Sequence, residues 1–422
     1  MARVVGLPGA VLLGLGSIVG TGAFVSIGIA AGVAGPSVIP AIAVAAALAT
    51  CNGLSSAQLA AAHPVSGGTY EYGHRFLSPA FGFAAGWMFL CAKSASAATA
   101  ALGLSGYALD VFGVTRGEAR VALGLAAVAA ITALVAGGMS RSNRANAAIV
   151  SVTLLALATF VAAGAPAAAG RAGTTLSGIA GSAGPRAFLE AAALMFVAYT
   201  GYGRIATLGE EVREPRRTIP RAIVATLAIS AVLYLGVAVV AVGAVGAGEL
   251  ARLTAGTAAP LEGAARSFAG PVLPRLLAAG AITAMAGVLL NLVLGLSRVL
   301  LAMARRGDAP RGLARIVPAT GSPRAAVLAV GAVIALLALA GDVRATWSFS
   351  AFTVLVYYAI TNLAALRLPA VQRLYPRAIA AAGLAGCLGL AWFVEPRFWL
   401  AGTGLLVAGL AGRAVARARR TR

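Results

Sequence analysis

Apolar residues in this chain neither alternate nor mark a single helical stripe. They come in runs of 16 to 32 residues, separated by short clusters of glycine, proline and arginine. That punctuation gives spans near 9–34, 37–61, 80–108, 118–138, 145–164, 187–207, 221–246, 272–303, 325–340, 346–366, 377–393 and 398–415. A run of about 20 apolar residues crosses the hydrocarbon of a bilayer as a helix. The pattern therefore predicts an all-α integral membrane protein of about 12 transmembrane helices, forming one transmembrane domain over residues 1–422.

Two of these spans are interrupted. The stretch Leu15-Gly16-Ser17-Ile18-Val19-Gly20-Thr21-Gly22-Ala23-Phe24 places three glycines in seven residues of an apolar run, and Tyr199-Thr200-Gly201-Tyr202-Gly203, with two glycines, shows the same interruption about 180 residues later. Glycine costs roughly 1 kcal/mol against alanine inside a helix, so both spans are expected to break near mid-membrane. Backbone groups freed there cannot face lipid and must turn to protein or to a wet cavity. Paired interruptions of this kind point to a binding site between two halves of a transporter. The competing reading of Gly16 and Gly20 is close helix packing of the small-xxx-small kind.

Composition agrees with a membrane chain: 60% of the 422 residues are hydrophobic and 11% charged, against about a quarter charged in soluble domains. The formal charge of +21 would suggest nucleic acid in a soluble protein. Here the arginines lie between the apolar runs and in the tail, where they act as topology signals facing anionic lipid. Twelve spans put both termini on one side; the loops and tails of that side hold 21 arginines against nine opposite. The expectation is a multi-pass protein of the cell inner (cytoplasmic) membrane with both termini cytoplasmic and no nucleic-acid partner. The region before the first span is too short for a cleaved signal peptide.

Between spans, His63-Pro64-Val65-Ser66-Gly67-Gly68-Thr69-Tyr70-Glu71-Tyr72 has the composition of a tight interfacial connector, and the mixed-charge segment Glu210 to Pro220 that of an amphipathic one. His63 and His74 read as surface histidines, and Cys51, Cys91 and Cys387 give neither a metal spacing nor a disulfide framework. No nucleophile elbow, paired intramembrane carboxylates or phosphate loop is present, so no enzyme, cofactor or metal is expected.

With these motifs in order, the chain resembles the amino acid, polyamine and organocation permease superfamily: the Gly-rich first span; Pro64, Gly67, Gly68, Tyr70 and Tyr72 leading to Phe81-Gly82 and Gly86-Trp87; Phe196 to Gly203 followed by Glu210-Glu211 and Pro215-Arg216-Arg217; and Ser297-Arg298-Val299-Leu300 with Ala302-Met303-Ala304-Arg305. The resemblance implies two inverted five-helix repeats (about 9–164 and 187–366), with broken helices one and six and two appended helices (about 377–415). It also implies a substrate carboxylate on the amides of Gly20, Thr21 and Gly22, and an ammonium on carbonyls drawn from Ile18, Val197, Ala198 and Thr200. Half-helix ends carry matching partial charges. Tyr199 is a further candidate contact, and Gly22 is expected to stay small because the ligand approaches it.

Lys93, the single lysine of the chain, sits in mid-span. A cation at that depth usually marks an ion or substrate path. It is the candidate coupling group, its ammonium held near the break in span one and linked to a proton. Members driven by sodium place hydroxyls where this chain has Ala284-Met285-Ala286-Gly287, and several proton-coupled ones place a lysine where it has Thr153. Arg204 and Arg298 read as structural, pairing with carbonyls or with Glu210 or Glu211. The central spans offer no carboxylate for a cationic side chain, so the expected function is secondary active transport of neutral amino acids. A receptor that binds without transport, and a carrier of cationic amino acids or polyamines, are the alternatives.

Overall fold

The computed structural model describes residues 5–65, 67–114, 116–138, 143–181, 184–206, 212–318 and 320–418. It is almost wholly helical. In chain order the helices are α1 (Leu7–Ile18), α2 (Ile27–Ala34), α3 (Val38–Ala62), α4 (Thr69–Phe76), α5 (Pro79–Val111), α6 (Gly117–Ala136), α7 (Asn143–Ala169), α8 (Ala172–Gly181), α9 (Pro185–Tyr199), α10 (Gly203–Ala206), α11 (Pro215–Val245), α12 (Ala247–Thr257), α13 (Pro260–Ala265), α14 (Val272–Arg305), α15 (Arg324–Ala338), α16 (Val343–Leu366), α17 (Arg377–Phe393) and α18 (Pro396–Ala418). Pro79, Pro185, Pro215, Pro260 and Pro396 each open a helix, where a missing N–H costs nothing and the fixed φ is already helical. Gly35, between α2 and α3, has φ 58°, a conformation that a side chain would oppose.

Each predicted span falls on a helix or a pair of half-helices. Among the described residues eight helical stretches are long and apolar enough to cross a membrane, and α1, α15 and α17 are shorter apolar helices. α5 and α16 form the centre: 78% of the most apolar window of each is buried, against 11% for α18 at the edge. They are joined by hydroxyl pairs, Ser96–Ser350 at 2.7 Å and Thr99–Thr346 at 2.8 Å. Between polar groups in hydrocarbon such bonds contribute about 0.6 to 2 kcal/mol each. A second buried polar set, Asn52, Asn362 and the thiol of Cys387, ties α3, α16 and α17 together.

Both interruptions are present. α1 ends at Ile18, Val19 is extended (φ −81°, ψ 100°), and the chain restarts through a wide turn, Gly22–Ser26, before α2. α9 ends at Tyr199 and passes through the tight turn Thr200–Tyr202 into α10. The glycines there also serve packing. A side-chain atom on Gly201 would collide with the carbonyl of Ser17, one on Gly16 with Asn146, and one on Gly20 would lie 2.7 Å from Val288.

α4, the α14–α15 connector and α18 meet at Asp308. Its carboxylate accepts from Tyr70 Oη (3.0 Å) and Arg413 Nε (2.7 Å) and faces His74 Nε2 at 3.5 Å. Burial alone would raise its pKa, but the bonds from His74, Arg413 and Tyr70 hold it at about 2. The cluster therefore persists as pH falls, until that value is reached. His74 is thus not a surface residue: its ring is 10% exposed, and its Nδ1 lies 2.8 Å from the carbonyl of Tyr70. His63 is half-buried against Phe76.

The packing changes the expectation for Gly22. A Cβ there would lie 2.7 Å from Ala198 Cβ and 2.8 Å from the Tyr234 hydroxyl, so the contact of α9 and α11 by itself requires a small residue. Gly22→Leu is expected to destabilise the folded protein by at least about 1–3 kcal/mol, the usual cost of overpacking. Thermal unfolding in detergent would read this, with Gly404→Leu, whose surroundings are open, as the unchanged reference. Equal melting of the two variants would contradict the packing.

Candidate functional site

The interrupted helices wall a cavity of about 560 Å³, within the range of small-molecule sites. Ser17, Ile18, Thr21 and Gly22 line it from the first break, and Val197, Ala198, Thr200 and Gly201 from the second. It runs from there past Lys93 and Phe89 to a mouth beside Glu71, Arg305 and Arg306. Phe24, in the turn that follows the first break, is not among the lining residues; it is fully buried and lies edge-on to Tyr107 at 5.7 Å.

The two predicted clusters are therefore brought together, with exceptions. Tyr199 is not among the lining residues; its hydroxyl lies 3.5 Å from the carbonyl of Ile42, and its ring packs on Tyr234 at 5.1 Å. Gly20 is turned to Val288. Lys93 lines the cavity, 7% exposed, but its Nζ donates to Thr200 Oγ1 at 2.6 Å, so it meets the break in span six and not the one in span one. Thr153 bonds back to the carbonyl of Ile149. Arg204 and Arg298 line the cavity toward its mouth; Glu210 and Glu211 lie outside the described residues.

The freed carbonyls are partly occupied. Tyr234 of α11 places its hydroxyl 2.9 Å from Ile18 O and 3.2 Å from Ala198 O. One hydroxyl hydrogen serves one acceptor at a time, and each carbonyl has two lone pairs, so both oxygens keep capacity for a further donor. Val197 O already accepts from the amide and hydroxyl of Thr200, and Thr200 O accepts from Tyr358 Oη at 3.2 Å. Ile18 and Ala198 are thus the better acceptors for an ammonium. Opposite them, Thr21 Oγ1 is buried without a hydrogen-bond partner among the described residues, beside the start of the second half-helix, where amides are unpaired and the dipole favours an anion.

Around this polar centre Phe89, Val288, Leu292, Trp347, Tyr357 and Tyr358 supply apolar surface. Trp347 is fixed by donating to Leu194 O at 2.9 Å. Among the described lining residues Glu71 is the one carboxylate, and it is paired with Arg306 at the mouth. Tyr234, Tyr357 and Tyr358 were not singled out from the sequence; the available signal was a polar-tipped aromatic in the middle of an apolar span, where its hydroxyl needs a partner.

Removing the Tyr234 hydroxyl takes away the one donor that two buried carbonyls share, a loss of about 1–3 kcal/mol for the acceptor left unsatisfied. Tyr234→Phe is expected to lower the thermal midpoint in detergent, with part of the loss recovered by a saturating ligand that supplies an ammonium. An unchanged midpoint would show that the bridge contributes nothing.

Comparison with known proteins bears on this geometry. The amino acid permease family matches residues 9–410. The chain is 42% identical over 417 residues to an uncharacterised transporter of Mycobacterium tuberculosis, covering 99% of this chain and 92% of that protein. It is 26% identical over 339 residues to a branched-chain amino acid permease of Bacillus subtilis (77% and 72% covered). To cationic amino acid transporter 4 of Homo sapiens it is 31% identical over 375 residues (84% and 58%). With interrupted helices around a central cavity and a family match that runs nearly end to end, the chain belongs to the amino acid permease family.

Proposed function

We propose that this permease carries neutral amino acids by alternating access, with proton exchange at Lys93 coupled to the switch. The proposed arrangement is two inverted repeats of five spans plus α17 and α18, twelve crossings in all, in a cytoplasmic membrane. The arginine-rich face with α4 and the α14–α15 connector, where the cavity opens, would be cytoplasmic. The observation that carries the substrate reading is the charge of the site: at the breaks it offers Lys93 and no carboxylate among the described lining residues. A cationic side chain buried there would lack a partner. A neutral one finds Phe89, Val288, Leu292 and Trp347. In this reading the ammonium rests on Ile18 O and Ala198 O, and the carboxylate on the amides of Thr21 and Gly22 with the Thr21 hydroxyl.

Lys93 is suited to coupling because Thr200, its one hydrogen-bond partner among the described residues, belongs to the second break. As an ammonium it offers three donors; as an amine it offers two and an acceptor. A proton gained or lost at Nζ therefore changes its hold on that turn. A ligand or proton shifts a conformational equilibrium only through such differential contacts.

Labelled substrates offered to proteoliposomes test both parts. Branched or aromatic neutral amino acids are expected to compete at least about tenfold better than arginine, lysine or a polyamine, corresponding to about 1.4 kcal/mol; the opposite ranking would overturn the substrate reading. Lys93→Met is expected to bind substrate still, while losing gradient-driven accumulation and its dependence on pH. Accumulation by that variant with the parent's pH profile would remove Lys93 from the coupling mechanism.

A further inference from the structure

At the end of α5 remote from the cavity mouth, α12 and α13 fold back as a lid. The lid sits close: a Cβ on Gly106 of α5 would strike the carbonyl of Thr257 and lie 2.9 Å from Ala258. One turn further, Asp110 of α5 and Glu262 of α13 converge on one nitrogen. Arg266 Nη2 is 3.0 Å from Asp110 Oδ2 and 3.0 Å from Glu262 Oε1, and it also donates to the Asp110 carbonyl at 3.3 Å. The carboxylates are 7% and 2% exposed, while the arginine is half exposed. Glu262 Oε2 is buried and has no hydrogen-bond partner among the described residues. Two buried carboxylates against one guanidinium leave one negative charge uncompensated and one oxygen unsatisfied, and such pairs resolve by sharing a proton.

We infer that Asp110 and Glu262 together bind a single proton, and that this proton latches the α12–α13 lid onto α5. With it, Glu262 is neutral, its orphan oxygen can donate, and Arg266 balances the remaining charge. Without it, like charges meet in a poorly hydrated contact and the lid lifts. The latch is joined to the first break: Tyr107, between Gly106 and Asp110, donates to Phe24 O at 2.9 Å in the wide turn and accepts the amide of Leu261 in the lid at 3.3 Å. Lifting α13 therefore disturbs the Tyr107–Phe24 bond, and with it the wide turn that follows the first break. The inference rests on the proposed alternating access for its role in transport, though the proton site itself does not.

The charged and titratable groups facing Glu262 among the described residues are Asp110 and Tyr107 of α5 and Arg266, which caps the end of α13. Burial first, then the charge of Asp110, raise the pKa of Glu262 to about 7 against the pull of Arg266. With the lid lifted and the carboxyl in water it returns to the ordinary carboxylate range. The closed lid thus binds the proton more tightly than the open one. Closure is favoured in acid, loses that advantage as pH rises from the carboxylate range to about 7, and has none above it.

The test needs neither substrate nor gradient. Spin labels at Phe112→Cys, 79% exposed beyond the end of α5, and at Arg252→Cys, exposed on α12, are placed in the full chain with Cys51, Cys91 and Cys387 replaced by alanine, in lipid nanodiscs. Double electron–electron resonance then gives the ratio of long to short separations. The inference expects that ratio to rise about tenfold or more between about pH 5 and about pH 8. Glu262→Gln, which imitates the protonated pair, is expected to hold the short separation throughout. Asp110→Asn, which leaves one carboxylate for one arginine, should be equally flat. A pH-independent parent, or either variant titrating as the parent does, would overturn the latch. Proton-linked uptake with an immobile lid would do the same while leaving Lys93 as the coupling group; a titrating lid without proton-linked uptake would retain the latch and remove the transport reading.

Discussion

The bridge made by one hydroxyl, that of Tyr234, between Ile18 O and Ala198 O is the contact on which the centre of this molecule depends. Two helices stop in mid-membrane, and each stop exposes carbonyls that hydrocarbon cannot satisfy. Tyr234 reaches both from a third helix, and Gly201 lets the second break lie directly on Ser17 of the first. The result is a polar locus in an apolar protein with its stability cost largely met before any ligand arrives. What remains unmet, spare lone pairs on two carbonyls and the unpartnered hydroxyl of Thr21, is small, specific and suited to a zwitterion.

Charge is distributed along the transport axis in three distinct ways. At the mouth both carboxylates are paired, Glu71 with Arg306 and Asp308 with Arg413. At the breaks it is a lone ammonium, Lys93, held by a neutral hydroxyl. At the lid it is two carboxylates sharing one arginine. In the proposed reading only the last two arrangements exchange a proton, and they lie toward opposite ends of α5. A single proton crossing from one to the other would first meet the acid pair and then the lysine.

Much of this was legible in the sequence, and the limits have physical causes. Run length located the helices, because hydrocarbon thickness sets the length of a span. Glycine density located both interruptions, because glycine weakens a helix wherever it stands. The same argument was silent on which neighbours each glycine admits: Gly22 was read as small because a ligand approaches it, and while it does line the cavity, a side chain there would also meet Ala198 and Tyr234. His74 was read as a surface residue because its partner, Asp308, is remote in sequence. Tyr234, Asp110 and Glu262 were passed over for the same reason, each being unremarkable until the chain brings a distant group beside it. Lys93 was read as reaching the break in span one and instead bonds to Thr200 in the second break, because the side of the helix that a residue occupies follows from packing and not from its position in a span.

The seat of α18 has a consequence for how the protein is made. Asp308 receives Arg413 from 105 residues further along the chain, and at about 5–20 residues per second the ribosome needs some seconds to supply it. During that interval α4 and the α14–α15 connector exist with a carboxylate whose principal counter-charge has not been synthesised. The mouth is therefore the last part of the permease to reach its final charge balance, and it does so only when the outermost helix enters the bilayer.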